Sequence, residues 1–247
     1  MYNLPKLIGH RGVRNLSPEN TIESIKLAKK MGLSWVEIDV KVSKDLIPIL
    51  LHDDSLDRTT TGQGIPLEFN YKYLKNLDAG FFFYNKKTNI CIPTLSEVLI
   101  LSEFYNINLN IELKPNIGFE KENVNAIINV LKTSNFNKKY YFSSFDLNSL
   151  VIMKENLPSC RCGLLIDKFN KDISLNDVIN ISKKYNFFCC GFNKNLINYE
   201  IVKKIKNHNL NITIFSEENL SVNEANKLWS MGIDSIFIDD PTEFQLD

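Results

Sequence analysis

Eight short apolar segments alternate with amphipathic segments along the 247 residues of the chain. A short, nearly continuous apolar run is typical of a strand that is buried on both faces of a parallel sheet. Parallel strands that alternate with helices are joined by right-handed crossovers, and eight such strands predict a closed barrel. The predicted strands are Leu4–Gly9, Trp35–Val40, Ile107–Leu113, Tyr140–Ser143, Cys162–Ile166, Phe187–Phe192, Leu210–Phe215 and Ser235–Ile238.

The amphipathic segments predict the helices of this barrel. The first helix is predicted to begin with Ser17 as its N-cap and Pro18 at its first position. Only Pro241–Asp247 follows the last strand, so the eighth helix is predicted to be one turn at most. An open doubly wound sheet is disfavoured, because the glycines beside His10 lack the G-x-G-x-x-G spacing of a nucleotide loop. The remaining predicted helices are Phe119–Thr133, Leu147–Glu155, Leu175–Tyr185, Tyr199–Asn207 and Val222–Met231.

These elements together predict an α/β protein, a (β/α)8 TIM barrel that occupies residues 1–247 as a single domain. A length of about 250 residues is typical of that fold. A small insertion follows the second strand, where roughly forty residues, Leu51–Ile92, precede a helix whose Thr94 and Glu97 have capping-box spacing. We expect this insertion, about residues 53–92, to lie over the barrel mouth, with its aromatic run Phe81–Tyr84 in its own core.

Charge and composition exclude several classes of partner. The formal net charge is zero, which disfavours nucleic acid and anionic membranes. No apolar run approaches the roughly 20 residues of a membrane span, and the N-terminus lacks the pattern of a signal peptide. Five cysteines, including Cys160, Cys162 and the vicinal pair Cys189–Cys190, lack C-x-x-C spacing and are expected to be reduced. We therefore expect a cytoplasmic protein without stable membrane association, whose oligomeric state the sequence leaves open.

Ionisable residues concentrate where the predicted strands end. In a TIM barrel the carboxyl ends of the strands and the loops after them build the active site. Residues two apart on a strand share a face, so Glu37 and Asp39 project together and Glu112 joins them from the next strand. Three carboxylates in one barrel mouth repel each other unless a cation intervenes, which indicates a hard divalent ion such as Mg²⁺ or Ca²⁺. The ionisable residues at this rim are His10, Arg11, Glu37, Asp39, His52, Asp53, Glu112 and Lys114.

The histidines and arginines also favour this end of the barrel. Of three histidines, His10 and His52 lie at the rim, whereas His208 is predicted on the surface of a late helix. Zinc is disfavoured, because the histidines have neither H-x-H nor H-E-x-x-H spacing. Three of the four arginines, Arg11, Arg14 and Arg58, fall within the first sixty residues.

The motifs of the N-terminal quarter resemble those of the glycerophosphodiester phosphodiesterase family. The segment Ile8–Gly64 contains H-R-G, P-E-N-T, E-x-D, H-D and L-x-R-T-T-x-G at the family's intervals. I-E-L-K at Ile111–Lys114 resembles the motif of the third strand, and L-D-A-G at Leu77–Gly80 resembles a segment of the insertion. D-S-I-F-I-D-D-P at Asp234–Pro241 is similar to the closing strand, so the likeness extends over nearly the whole chain.

The resemblance implies a function and a role for each matching residue. It implies hydrolysis of small glycerophosphodiesters to glycerol 3-phosphate and an alcohol, with a divalent metal ion bound. His10 and His52 would be the acid–base pair, Glu37, Asp39 and Glu112 the metal ligands, and Arg11 and Lys114 the groups that hold phosphate oxygens. Glu19 and Asn20 belong to the motif, where helix capping and bracing of the Arg11 loop are alternatives to a direct catalytic role.

Two departures from the family pattern concern the substrate pocket. Family members commonly have Trp where this chain has Phe215, which is the corresponding candidate for substrate contact. Their T-D-x-P after the last strand is here Ile238-Asp239-Asp240-Pro241.

Two alternative functions stay open. A lysophospholipase D or a phosphoinositide-type phospholipase C would share the fold, but would need an apolar surface for which Phe81–Tyr84 is the candidate. A non-catalytic barrel that binds phosphate esters is the second alternative. It would not need the acid–base pair of His10 and His52.

Overall fold

Eight parallel strands close into a barrel in the computed structural model, which describes residues 3–171 and 173–245. Each strand pairs with its neighbour in chain order, and the first strand pairs with both the last and the second. The predicted (β/α)8 barrel is therefore confirmed. Its eight parallel strands are β1 (Leu7–Gly9), β2 (Trp35–Val42), β4 (Asn108–Leu113), β5 (Tyr140–Ser144), β6 (Cys162–Ile166), β7 (Cys189–Asn193), β8 (Asn211–Phe215) and β9 (Ser235–Ile238).

A ninth strand, β3 (Pro48–Leu50), was not predicted. It pairs antiparallel with the end of β2, with Val42 opposite Pro48 and Val40 opposite Leu50. This pairing extends β2 two residues beyond its predicted end at Val40. The short strand also fixes the start of the insertion at the side of the barrel.

The helices cover the outside of the barrel and the insertion. The five helices predicted after β4 begin and end within one residue of those observed. Before β4, Thr94 and Glu97 form the predicted capping box. No helix in the described residues is long and apolar enough to cross a bilayer. The predicted domain 1–247 and the segment Pro241–Asp247 reach residues outside the described ranges. The helices are α1 (Ile22–Lys30), α2 (Tyr71–Leu74), α3 (Phe81–Tyr84), α4 (Leu95–Tyr105), α5 (Glu120–Thr133), α6 (Leu147–Asn156), α7 (Leu175–Lys184), α8 (Tyr199–Lys206) and α9 (Val222–Met231).

The predicted start of the first helix at Ser17 and Pro18 is wrong. Helix α1 begins at Ile22 with Thr21 as its N-cap. Asn20 has a φ of +56°, which no right-handed helix accommodates. Its side-chain amide donates to Asp39 Oδ2 at 2.8 Å, and its carbonyl oxygen accepts from the Asp39 N–H at 3.0 Å. The turn that makes these two bonds delays the helix by four residues relative to Pro18.

Alternation along β2 separates the core from the site. Val36, Ile38 and Val40 are fully buried in the layer between the barrel and its helices. Glu37 and Asp39 point to the other face, into the barrel, because successive strand residues face opposite sides. Each fully buried aliphatic side chain of this kind contributes about 1.5–3 kcal/mol to folding. The apolar layer therefore stabilises a strand that carries two buried carboxylates.

The insertion has a small core of its own, but the aromatic run lies outside it. Phe82, Phe83 and Tyr84 are 54%, 42% and 43% exposed, so the expectation that the run is buried was wrong. Helix α3 lasts a single turn, and four consecutive residues of a helix point in different directions. One face can therefore contact the insertion, while the other side chains face outward. The core instead consists of Ile49, Leu51, Leu56, Leu74, Leu77, Ala79 and Ile92.

Candidate active site

A cavity of about 170 Å³ opens at the carboxyl ends of the barrel strands. All the predicted site residues except Asp39 and Asp53 line it. Asp39 is buried beside them, and Asp53 lies 2.7 Å from His52. The structure therefore brings the predicted rim residues together. His208 is exposed in the turn after α8, away from this cavity. The lining residues are His10, Arg11, Arg14, Glu37, His52, Glu112, Lys114, Phe145, Leu165, Asp167, Asn193, Phe215, Ser216, Glu217 and Phe237.

Three carboxylates converge at the base of this cavity. Glu37, Asp39 and Glu112 each offer an oxygen within 4.8 Å of the other two. They are only 2%, 1% and 7% exposed. Strand pairing explains the arrangement, because Asp39 lies directly opposite Glu112 across β2 and β4, and Glu37 lies on the same face of β2.

The electrostatics of this triad suit a cation. Burial, together with the charges of Asp39 and Glu112, raises the pKa of Glu37 well above its ordinary value. Burial raises the pKa of Glu112 to about 7. Burial also acts to raise the pKa of Asp39, but Arg11 and Lys114 outweigh it, and that pKa is lowered. Glu37 Oε1 is buried without a hydrogen-bond partner in the described residues. An unpartnered carboxylate oxygen beside two further carboxylates fits a hard cation that takes oxygen ligands.

Two positively charged side chains, Arg11 and Lys114, lie beside the three carboxylates. Arg11 has a φ of +50°, a rare conformation for a residue with a side chain. Its backbone N–H donates to Glu37 Oε2 at 2.8 Å, and its Nε lies 3.3 Å from Asp39 Oδ2. The Nζ atom of Lys114 lies 3.0 Å from Glu112 Oε1 and 3.7 Å from Asp39 Oδ1. Both positive charges are thus held at the edge of the carboxylate cluster, within the cavity.

His10 is held by the carboxylate of the residue that follows the last strand. Its Nδ1 lies 2.7 Å from Asp239 Oδ1, and Arg14 Nε lies 2.7 Å from the same oxygen. Its Nε2 lies 4.0 Å from Glu37 Oε2. Burial lowers the pKa of His10, while the hydrogen bond to Asp239 opposes that change.

His52 is held in the same manner by a neighbour in sequence. Its Nδ1 lies 2.7 Å from Asp53 Oδ1. Arg58 donates to both Asp53 oxygens, through Nε at 2.6 Å and Nη2 at 2.9 Å. The same guanidinium donates to both oxygens of Glu19 at 2.8 and 2.7 Å. Burial lowers the pKa of His52 as well.

Glu19 and Lys41 brace the loops that carry these groups. Glu19 accepts from Arg11 at 2.8 Å in addition to its two bonds from Arg58. Lys41 is fully buried on β2, and its Nζ donates to the backbone carbonyl of Asp53. These contacts tie the His52 loop to the barrel and to the Arg11 turn.

The partner of His10 was not identified from the sequence, nor were the arginines that pair with Asp239 and Asp53. Asp239, Arg14 and Arg58 were noted only as motif or composition features. The position of Asp239 near His10 could have been inferred from the fold, because closure of a barrel brings the end of the last strand beside the end of the first. Gly9 indeed lies opposite Ile238, immediately before His10 and Asp239.

The rest of the cavity wall combines aromatic and polar groups. Phe215 packs edge-on against Phe145, with ring centroids 5.3 Å apart. Asn193 donates to Asp167 at 3.0 Å. The predicted substrate residue Phe215 therefore lies in the wall of the cavity.

The insertion does not cover the mouth as expected. Among the described residues that line the cavity, His52 is the sole member of the segment Leu51–Ile92. Strand β3 and a bridge between Ile49 and Thr94 hold the insertion at the side of the barrel. The cavity therefore stays open on its outer side.

Comparisons with known proteins agree with this geometry. The model of the glycerophosphoryl diester phosphodiesterase family matches residues 10–243. A glycerophosphodiester phosphodiesterase of Caldanaerobacter subterraneus is 37% identical over 159 residues, 64% of this chain and 65% of that protein. YhdW of Bacillus subtilis is 31% identical over 238 residues, 95% of this chain and 94% of that one. An Oleispira antarctica phosphodiesterase, solved with the product sn-glycerol-3-phosphate, superposes with a TM-score of 0.91 at 33% identity, covering 98% of this chain and 96% of its own.

Proposed function

The chain belongs to the glycerophosphoryl diester phosphodiesterase family, and from that premise we propose that it hydrolyses small glycerophosphodiesters to glycerol 3-phosphate and an alcohol. One observation carries the proposal. Two histidines, His10 and His52, enter one cavity that also holds a triad of buried carboxylates. The product complex of the Oleispira antarctica relative supports glycerol 3-phosphate as the retained half of the substrate. We further propose that residues 1–247 act as one barrel domain, with about 53–92 as an insertion.

Glu37, Asp39 and Glu112 would hold a divalent metal ion, Mg²⁺ or Ca²⁺. The Oε1 of Glu37, buried and without a partner in the part of the chain that the structure describes, and the mutual proximity of the three carboxylates support this assignment. When bound, such an ion neutralises phosphate charge and orients the attacking oxygen.

Arg11 and Lys114 would bind the non-bridging phosphate oxygens. Both cations lie in the cavity wall next to the carboxylates. A guanidinium can donate two parallel hydrogen bonds to a phosphate, whereas an ammonium acts as a point charge. Together they would offset the charge that makes a phosphodiester monoanion resistant to attack.

His10 and His52 would divide the roles of base and acid. In each ring Nδ1 is engaged by an aspartate, which leaves Nε2 for proton transfer. One imidazole accepts the proton of the attacking hydroxyl, and the other donates a proton to the departing alkoxide. Histidine suits both steps because its ordinary pKa lies near neutrality. Phe215, in the wall of the same cavity, would contact the carbon skeleton of the substrate.

The decisive experiment is an assay of glycerol 3-phosphate release from glycerophosphocholine. Activity should disappear after exhaustive chelation and return with Mg²⁺ or Ca²⁺. A protein that binds glycerol 3-phosphate but releases none from any diester would be a phosphate-ester-binding barrel. Full turnover without a divalent ion would remove the metal from the proposal and leave the hydrolysis standing.

A lysophospholipase D is the second candidate, and one observation favours it. Phe82, Phe83 and Tyr84 are exposed on the insertion, where aromatic side chains could contact a lipid surface. Turnover of a lysophospholipid with release of its alcohol would support this reading. Release of a phosphorylated headgroup would indicate phospholipase C chemistry.

A further inference from the structure

Two cysteines meet at the end of the barrel opposite the cavity. Cys162 is the first residue of β6, and Cys160 lies in the loop that precedes it. Their sulfur atoms are 3.5 Å apart. The cavity lies beyond the other end of β6, where Asp167 lines it. The cysteine pair is therefore separate from the proposed catalytic residues.

The two thiols differ in their access to solvent. Cys162 is fully buried among the apolar residues between barrel and helices, whereas Cys160 is partly exposed. Lys154 donates from Nζ to the backbone carbonyls of Cys160 at 2.8 Å and of Pro158 at 3.0 Å. A solvent reactant can therefore reach Cys160 first, next to a positive charge that favours its thiolate.

The surroundings favour thiol chemistry over metal binding. Among the described residues, the one group of three side chains that could hold a metal ion is Glu37, Asp39 and Glu112. The two cysteine sulfurs therefore have no third metal-binding side chain beside them in that part of the chain. The ammonium of Lys154 would also repel a bound cation. A thiolate at Cys160 is stabilised, since the hydrogen bond with Cys162 lowers its pKa and Lys154 lowers it further against the effect of burial.

We propose that Cys160 and Cys162 form a peroxide-oxidisable dithiol that closes to an intramolecular disulfide. The thiolate of Cys160 attacks one oxygen of hydrogen peroxide, which breaks the O–O bond, releases hydroxide and leaves a sulfenic acid. The sulfur of Cys162 then attacks Cys160 Sγ, and the S–O bond breaks as the S–S bond forms. The second hydroxide leaves as water with the proton of Cys162. Two thiols are thus oxidised by two electrons, and one peroxide is reduced to two waters.

The closing step requires a small displacement. A disulfide has a sulfur–sulfur distance of about 2.05 Å, so the two atoms must approach by roughly 1.5 Å. Cys162 is fixed in β6, where it pairs with Phe142. Cys160 lies outside the strand, and rotation of its side chain can provide the approach.

Other cysteines provide an internal comparison. Cys91 is the most exposed of the five cysteines. The partial burial of its thiol, together with the carboxylates of Glu23 and Glu97, nevertheless raises the pKa of that thiol. Cys189 and Cys190 are buried on β7, and burial raises the pKa of both. Peroxide should therefore oxidise the Cys160–Cys162 pair before Cys91, although Cys91 is more accessible.

The sequence between the two cysteines allows a direct test. Arg161 separates them, so trypsin cuts the chain there and yields the peptides 155–161 and 162–168. The folded protein is treated with hydrogen peroxide, its remaining thiols are alkylated under denaturing conditions, and the digest is analysed by mass spectrometry. We expect the two peptides to appear joined, lighter by two hydrogen atoms than their sum, and to separate on reduction. Joining should be about tenfold faster than the loss of the Cys91 thiol.

Two variants serve as controls. Cys160→Ser should abolish the joined species while circular dichroism shows an unchanged fold. Cys91→Ser should leave its formation unchanged. The proposal is overturned if Cys91 is consumed first, if Cys160 proceeds to sulfinic acid without joining, or if the wild-type peptides remain separate after peroxide treatment.

Discussion

His10 Nδ1 lies 2.7 Å from Asp239 Oδ1, although the two residues are 229 positions apart in the chain. His52 makes the same contact with Asp53, also at 2.7 Å. Each aspartate in turn pairs with an arginine, Arg14 for Asp239 and Arg58 for Asp53. Two similar His–Asp–Arg arrangements thus place their imidazoles in the cavity from loops that follow different strands. Each aspartate fixes the orientation of its imidazole and, in the proposed acid–base mechanism, would stabilise the protonated ring.

His10→Ala and His52→Ala should each lower kcat for glycerophosphocholine by about 10²- to 10⁴-fold, the range for a lost general acid or base. His208→Ala is the matched control, because His208 is exposed outside the cavity, and it should leave kcat unchanged. Steady-state kinetics at saturating metal measures the three variants. Equal sensitivity of His208 would contradict the location of the active site.

Asp239→Asn should lower kcat by about 10²- to 10⁴-fold, the upper figure being that of a triad aspartate. The hydrogen bond and charge of Asp239 raise the pKa of His10 against burial, so their loss should shift the His10 limb of the pH–rate profile to lower pH. Asp240→Asn is the control, since Asp240 bonds Thr242 and not His10. If the pH–rate profile of the Asp239 variant is not shifted, Asp239 supports the structure of the site without setting the pKa of His10.

The sequence was sufficient to predict what depends on periodicity. Eight apolar runs gave the barrel, and the period of two along β2 placed Glu37 and Asp39 on one face. The partner of His10 could not be found in the same way, because it depends on the closure of β1 against β9. Such a contact follows from topology rather than from local spacing.

Other errors arose where tertiary contacts override local preference. Ser17 and Pro18 are good helix-start residues, yet Asn20 adopts a left-handed turn because its side chain bonds Asp39. The long segment between the second strand and the helix at Thr94 was sufficient to predict an insertion. It did not indicate where the insertion lies relative to the barrel. Pairing of β3 with β2 holds it at the side of the barrel, and no pattern in the sequence indicated that pairing.

Glu37→Gln should weaken metal binding by at least about tenfold, since even residues that only support metal ligands cost 10- to 100-fold when changed. The amide removes one of three crowded charges, so the chelated variant should be at least as stable as chelated wild type. Calorimetric titration with Mg²⁺ and Ca²⁺, and thermal unfolding with and without metal, measure these effects. Glu217→Gln, at a cavity carboxylate outside the triad, should bind metal normally. Wild-type affinity in the Glu37 variant would mean that Glu37 is not a ligand.

Ionisation of Glu112 should cost the metal-free protein stability as the pH rises toward neutrality. Burial raises the pKa of Glu112 from 4.5 to about 7 in the folded state. The folded state then holds this proton more tightly than the unfolded chain, so the stabilisation is full below about pH 4.5 and is lost as the pH rises through about 7. Over this window the free energy of unfolding of chelated wild type should fall relative to Glu112→Gln by on the order of 1–3 kcal/mol. Denaturant unfolding in EDTA at a series of pH values measures this difference. The prediction is contradicted if the free energy of unfolding changes with pH in the same way for both proteins.

The preferred substrate should be a deacylated glycerophosphodiester rather than an acylated lipid. The cavity measures about 170 Å³ and is bounded by Phe145 and Phe215, which suits a glycerol phosphate with a small alcohol. The exposed aromatic residues of α3 do not line it, so an acyl chain held there would lie outside the cavity. Glycerophosphocholine and glycerophosphoethanolamine should therefore both be hydrolysed faster than a lysophospholipid under one metal condition. A combined Phe82→Ser, Phe83→Ser and Tyr84→Ser variant should leave these rates within about twofold, as expected for surface changes. A lysophospholipid that is turned over fastest, and that the combined variant slows, would instead make the enzyme a lipase that uses α3 to contact its substrate.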